Sequence, residues 1–244
     1  MSARLAPMTD AAAAIRLERL QFSWRGGARL LDIDRFVVAR GERVFLQGAS
    51  GSGKSTLLGL LGGVLLPQSG CVAVLGSDLS SLGGAQRDRF RADHIGFVFQ
   101  QFNLLPFLSV RENVLLPLRF SARRRHAVLR RGEAIAEADR LLRALDLDPA
   151  RHAHKPVGAL SVGQQQRVAA ARALIGDPEL LIADEPTSAL DADARGAFLH
   201  LLFDECRRAG ATVVFVSHDR GLAPMFDRSL RLADINATLR MGTN

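Results

Sequence analysis

The 244-residue chain has no tyrosine, one tryptophan, two cysteines and two lysines, and each shortage narrows what it can be. Cys71 and Cys206 share no metal-ligand or redox spacing, which excludes a disulfide framework, a zinc site and a dithiol centre. Two reduced thiols are expected. With Lys54 and Lys155 as the only lysines, the formal charge of +7 rests on arginine. A long apolar run is also missing. The best candidate, LLGLLGGVLLP (57–67), is interrupted by Gly59, Gly62 and Gly63 and stops at Pro67, short of the ~20 residues a membrane span needs. AAAAI (11–15) is bounded by Asp10 and by Arg16, Glu18 and Arg19, so it lacks the apolar centre of a secretory signal and a cytosolic chain is expected. Internal repeats, low-complexity tracts and long heptad arrays are absent as well.

What is present suits a folded domain. Hydrophobic residues make up 48% of the sequence, enough for one large domain or a domain with a sub-domain. The positive balance fits nucleic acid, anionic headgroups or a composition bias toward Arg and Ala. Its densest cluster, ARRRHAVLRRGEA (122–134), has no interleaved aromatics, and a solvated or membrane-facing surface is expected there. Short β-rich runs alternate with helical patterns: RLERLQFSW, RFVVA, RVFLQG, CVAVLG, IGFVFQ, ELLIADE, ATVVFVSH and SLRLADI. Several are continuously apolar, as strands covered on both faces are. An α/β fold with a mostly parallel sheet follows. Between Gln100 and Leu160 the pattern is helical only, in SVRENVLLPL and RRGEAIAEADRLLRALDL, which reads as an inserted α-helical sub-domain.

Two stretches carry the chemistry. In RVFLQGASGSGKSTLLGLL an apolar strand runs into Gly48, and Ser50, Gly51, Gly53, Lys54, Ser55 and Thr56 lead into an apolar helix, the P-loop pattern in its required context. Backbone N–H groups freed by glycine wrap a β-phosphate, the helix N-terminus favours negative charge, Lys54 reaches the β- and γ-phosphates, and Ser55 offers a magnesium ligand. In ELLIADEP, Asp184 and Glu185 end an apolar strand, the first suited to magnesium and the second to polarising an attacking water. His218 ends another apolar strand, VVFVSHD, on the edge where open α/β sheets bind ligands, and a γ-phosphate contact is expected of it. LSVGQQQR (160–167) is a second Ser-and-Gly turn opening a helix, and one phosphate site does not require two.

Gln100 after IGFVF, LSVGQ (160–164), ADEPTSALD (183–191) and His218 together resemble the complete motif set of ABC-type ATPases, in family order, over residues 15 to 234. The resemblance implies a P-loop NTPase (RecA-like) core with an N-terminal antiparallel β sub-domain. It divides a single domain, 1–244, into a nucleotide-binding core (about 15–100 and 165–234) and a helical sub-domain (about 101–164). It implies ATP and Mg2+ as cofactors, with Ser55, Gln100 and Asp184 toward the metal. Lys54, Gln100, Glu185 and His218 are the implied catalytic set, and Ser188 to Asp191 the D-loop. Ser161, Gly163 and Gln164 are implied to bind ATP held by the P-loop of a second ATPase subunit, which gives the second turn its purpose.

Two positions depart from the family pattern. Val162 stands where glycine is frequent, but it accepts helical φ/ψ and keeps its N–H. The adenine-stacking aromatic, usually tyrosine, matches Trp24 in LQFSWRGG, with Phe22 as the fallback and an ordinary core role for Trp24 as the alternative. RADHIGFVFQQFNLLPFLSVRENVLLPL (91–118) is similar to the lipoprotein-releasing and macrolide-exporter group (LolD/MacB type). That likeness implies a separate integral-membrane permease with a large periplasmic domain, and a peripheral place on the cytoplasmic face of the inner membrane. Phe102, Leu104, Leu105, Phe107 and Leu108 are either the permease-docking surface or core. The rival reading is a soluble ABC ATPase acting on nucleic acid or ribosomes. A long coiled-coil insert or a second ATPase domain would mark it, and this sequence carries neither, so no direct nucleic-acid contact is expected.

Overall fold

Residues that alternate along four strands decide which of two apolar cores each one enters, and the parallel sheet lies between those cores. The structure, a computed structural model, describes residues 13–188 and 190–240. Its parallel sheet runs in the order β6-β7-β8-β3-β9: β3 (Arg43–Gln47), β6 (Ile95–Val98), β7 (Leu180–Asp184), β8 (Thr212–Val216) and β9 (Arg228–Arg231). Val44, Leu46, Leu180, Ile182, Val214 and Val216 face one core, while Phe45, Leu181, Ala183, Val213 and Phe215 face the other. A period of two thus feeds two layers, which is why these runs read as continuously apolar.

The first core is closed by an antiparallel sheet, order β2-β1-β4-β5, and by α1 (Lys54–Leu61). Its strands are β1 (Ala13–Ser23), β2 (Arg29–Ala39), β4 (Ser69–Val74) and β5 (Ser77–Asp78). α2 (Gly84–His94) leads into β6. The second core takes helices: α3 (Val110–Leu115), α4 (Pro117–Phe120), α5 (Ala122–Leu129), α6 (Ala134–Ala144), α7 (Pro149–His152), α8 (Val162–Leu174) and α9 (Ala192–Ala209). α10 (Leu232–Ile235) and α11 (Ala237–Arg240) close the described chain. Among the described residues no helix is long and apolar enough to cross a membrane. Both cysteines are free, Cys206 buried, and burial pushes its thiol up to about 12. The expected absence of a secretory signal concerns residues 1–12 in part, and these lie outside the described residues.

Several expectations are corrected. SLRLADI is not one strand: β9 ends at Arg231, where the Asp234 carboxylate accepts from the Arg231 N–H at 3.2 Å and turns the chain into α10. SVRENVLLPL is two helices, because Pro117 has no N–H to continue α3 and starts α4 instead. RFVVA is only the end of β2, whose first half carries Leu31 and Ile33 into the core.

The arginine-rich stretch 122–134 is exposed at Arg123, Arg125, Arg130 and Arg131, and Arg124 is the exception. Ser121 caps α5, accepting from the Arg124 N–H at 3.0 Å, and this phase turns Arg124 and Val128 inward. Arg124 is 2% exposed, and its Nη1 donates to Ala173 O and Ile175 O, carbonyls at the C-terminal end of α8, where a cation is favoured. Arg123 pairs with Glu179 at 2.8 Å and Arg131 pairs with Asp177.

Candidate nucleotide-binding site

The turn between β3 and α1 works because of its glycines. Gly53 has φ +99°, and a Cβ there would stand 3.0 Å from Leu31 Cδ2, so both backbone freedom and space require glycine. Lys54 curls over the turn, its Nζ donating to Gly48 O at 2.8 Å and Ala49 O at 2.9 Å. Ser55 Oγ donates to Asp184 Oδ2 at 2.8 Å, which joins the start of α1 to the end of β7. Beyond β7 the chain turns sharply. Glu185 has φ +48°, a strained value for a side-chain-bearing residue, and its N–H donates to Val216 O at 2.9 Å. This turn brings Glu185 Oε2 within 2.7 Å of His218 Nδ1, a shared hydrogen bond. Asp219 follows, its carboxyl held below the usual range by the Gly221 N–H and by the Arg195 guanidinium.

A cavity of about 580 Å³ is lined by Trp24, the turn from Gly48 to Gly51, Gly53 to Thr56, Gln100, Asp184, Glu185 and His218. Trp24 is 54% exposed and makes a T-shaped pair with Phe22, ring centroids 5.2 Å apart, whereas Phe22 itself is core; Trp24 is therefore the aromatic that faces the cavity. The donors beside Lys54 are a hydroxyl (Ser55), a carboxylate (Asp184) and an amide (Gln100). This all-oxygen set fits a hard cation that keeps water and phosphate ligands. Ser161, Gly163 and Gln164 do not line this cavity. Ser161 caps α8, exposed, with Ser161 N donating to Gln164 Oε1 at 3.0 Å and Gln164 N to Ser161 Oγ at 3.3 Å. Val162 opens that helix, as its backbone permits. Asp191 caps α9 at the end of the D-loop, in which Ala189 lies outside the described residues.

Sequence reasoning missed three contributors. Leu30 lines the cavity and is braced by buried Asn236, whose Nδ2 donates to Leu30 O at 2.9 Å across the whole chain. Asn113, fully buried, holds the loop after Gln100 through Leu105 O at 3.0 Å and Leu108 O at 3.3 Å. Arg172 of α8 donates to Phe102 O and Asn103 O and so clamps the same loop. No local pattern announces any of these. Phe102 itself is core, not docking surface, and Leu104 packs beside it, while Phe107 is 79% exposed.

A parallel sheet whose strand ends gather a phosphate-binding turn, two carboxylates, a glutamine and a histidine defines a P-loop ATPase. The sequence model of the ABC transporter family matches residues 31–188. The chain is 42% identical over 221 residues to the lipoprotein-releasing system ATP-binding protein LolD of Chromohalobacter salexigens, covering 89% of this chain and 90% of that one. It is 46% identical over 202 residues to the uncharacterized ABC transporter ATP-binding protein YbbA of Escherichia coli, covering 81% and 83%. Among solved structures, the dimeric post-hydrolysis state of the ATP-binding cassette MJ0796, bound to ADP and Pi, superposes with a TM-score of 0.78 at 36% identity, covering 89% and 93%. The chain belongs to the ABC transporter family of ATPases, in the LolD-type group. It is an ATP-binding, ATP-hydrolysing subunit, and the fold expected from the sequence is the fold found.

Proposed function

We propose that two copies of this chain close over two ATP molecules and drive a separate membrane permease. The observation that carries this is a separation. The P-loop cavity gathers Trp24, Lys54, Gln100, Asp184, Glu185 and His218, yet the LSVGQ turn stands outside it, with Ser161 and Val162 exposed, at the N-terminus of the 13-residue helix α8. An anion-binding helix end with no anion site of its own suits ATP held by another copy. That a cassette of this family is dimeric with ADP and Pi bound supports the pairing of two copies.

Within one site the adenine stacks on Trp24, and the turn from Gly48 to Thr56 wraps the phosphates with Lys54 on the β- and γ-groups. Ser55, Asp184 and Gln100 would hold Mg2+, which when bound would neutralise phosphate charge. Glu185 polarises the attacking water, and His218 faces the γ-phosphate. In this reading residues of about 15–100 and 165–234 form the nucleotide-binding core, while about 101–164 carries Gln100's loop and the signature turn. The permease, with a large periplasmic domain as in the lipoprotein-releasing group, docks beside that loop and holds the ATPase on the cytoplasmic face of the inner membrane. Arg124 is turned inward, and the exposed Arg123 and Arg131 pair with Glu179 and Asp177, which leaves less of this charge for nucleic acid and favours the permease reading.

Two measurements test the nucleotide pose. Lys54→Ala is expected to weaken ATP binding about ten- to hundredfold, since a charge-assisted contact to the phosphates is lost; calorimetric titration reads it, and unchanged affinity would remove Lys54 from the phosphates. Trp24 is the only indole, so its fluorescence is expected to change on ATP binding without any label. Trp24→Ala is expected to cost about tenfold in affinity. A silent spectrum together with unaltered Trp24→Ala affinity places adenine elsewhere.

A further inference from the structure

The nucleotide cavity takes its walls from two different sheets. Trp24 and Leu30 belong to the β1–β2 hairpin of the antiparallel sheet, whereas the glycine turn, Asp184, Glu185 and His218 lie at strand ends of the parallel sheet. The two sheets share an apolar core, and apolar contact has no direction of its own to fix their spacing. A ligand that touches both walls depends on that spacing.

The strand ladder leaves Leu30 loosely specified. Phe22 pairs with Leu31 but Ser23 pairs with Arg29, so the register slips and Leu30 is the extra residue of a bulge. β2 is also the outer strand of its sheet, which opens Leu30 O and the Asp32 N–H on its edge. One side chain takes both groups. Asn236 Nδ2 donates to Leu30 O at 2.9 Å and Asn236 Oδ1 accepts from the Asp32 N–H at 2.8 Å, so the amide stands in for a neighbouring strand. Thr238 Oγ1 donates to the same Leu30 O at 3.1 Å, and Asn236 is fully buried.

The other end of this clamp is tied to the phosphate wall. β9 runs beside β3 as far as the pair of Gln47 with Arg231, where β3 gives way to the glycine turn, and α10 then carries the chain directly to Asn236. Leu232, at the start of α10, is fully buried in the same core as α1. Leu30 itself lies against the turn, since a Cβ on Gly53 would meet Leu30 Cγ at 3.3 Å. One short path thus joins the base of the P-loop, through Asn236, to the hairpin that carries Trp24.

We infer that Asn236 is a positioning residue of the ATP site: with Thr238 it sets the distance between the Trp24–Leu30 wall and the P-loop, and so the affinity for a ligand that must touch both. The inference rests on the adenine pose above and adds what holds that pose in place. A nucleotide reaches from one wall to the other, whereas a bare polyphosphate meets only the turn. A buried amide that merely kept the chain folded would affect both ligands alike.

The test uses the full chain with Mg2+ and compares ATP and ADP, by calorimetric titration, with tripolyphosphate, by its inhibition of ATP turnover. Asn236→Ala is expected to weaken both nucleotides about tenfold and to leave the tripolyphosphate inhibition constant within about twofold of wild type. Thr238→Val keeps the side-chain volume and loses only the hydroxyl; it is expected to weaken the nucleotides about threefold, and it decides the question should Asn236→Ala not fold. Unchanged nucleotide affinity, or an equal loss for tripolyphosphate, overturns the inference. Trp24→Ala, measured beside these variants, keeps the pose and the clamp apart. A loss in Trp24→Ala with none in Asn236→Ala leaves the pose standing and removes the clamp. A loss confined to nucleotides in Asn236→Ala, with none in Trp24→Ala, keeps the clamp, acting through Leu30, and takes adenine off Trp24.

Discussion

Glu185→Gln is expected to lower ATP turnover by about a hundredfold to ten-thousandfold while ATP affinity stays within a few-fold of wild type, the range for loss of a positioned base. The site explains why the two quantities separate. Lys54 and the P-loop amides meet phosphate charge that is present in the bound ground state, whereas Glu185 acts on a water whose proton moves only in the transition state. Glutamine keeps the shape of the residue and its amide still meets His218 Nδ1, now 2.7 Å from Glu185 Oε2. The backbone at φ +48°, fixed by Val216 O, is unaffected by the change. Steady-state phosphate release and a direct binding titration read the two quantities. Wild-type turnover in Glu185→Gln would take Glu185 out of the role given to it here.

How far this site is legible in the sequence depends on the range of the interactions that build it. The P-loop is local: a strand, a glycine turn and a helix fix Lys54 and Ser55 within nine consecutive residues, GASGSGKST. β7 and β8 are legible because both faces of each are covered, so four of the five positions in each are apolar. Elements shaped by distant partners are not. The Asn236 brace on Leu30 joins opposite ends of the chain, and nothing near Leu30 predicts it. In the arginine-rich stretch, the Ser121 cap sets which arginine turns inward, and the carbonyls that receive Arg124 lie in α8. Charge density alone reads such a stretch as surface. For the same reason Phe102, which reads equally well as docking surface or core, is settled as interior only by the clamp by Arg172 and the core behind it.

Two Glu185→Gln chains are expected to pair in ATP and to remain monomers in ADP. With the γ-phosphate in place, the N-terminus of α8 in one copy has an anion to meet on the P-loop of the other. Without it, two surfaces of chains that each carry a formal +7 are brought together with nothing between them. Ser161→Glu sets a carboxylate where the incoming phosphate must come, and like charges brought together on closure cost several kcal/mol. Ser161 lies outside the P-loop cavity, so ATP binding to the single chain should be nearly intact. Ser161→Ala separates charge from capping, since it loses only the hydroxyl that accepts from Gln164 N, a loss of about 1 kcal/mol. The decisive measurement is sedimentation velocity of the Glu185→Gln protein, alone or with Ser161→Ala or Ser161→Glu added, in ATP, in ADP and without nucleotide. The account predicts a dimer in ATP alone, retained in weakened form by Ser161→Ala and lost in Ser161→Glu. A double variant, Ser161→Glu with Glu185→Gln, that dimerises in ATP as tightly as its parent would contradict it.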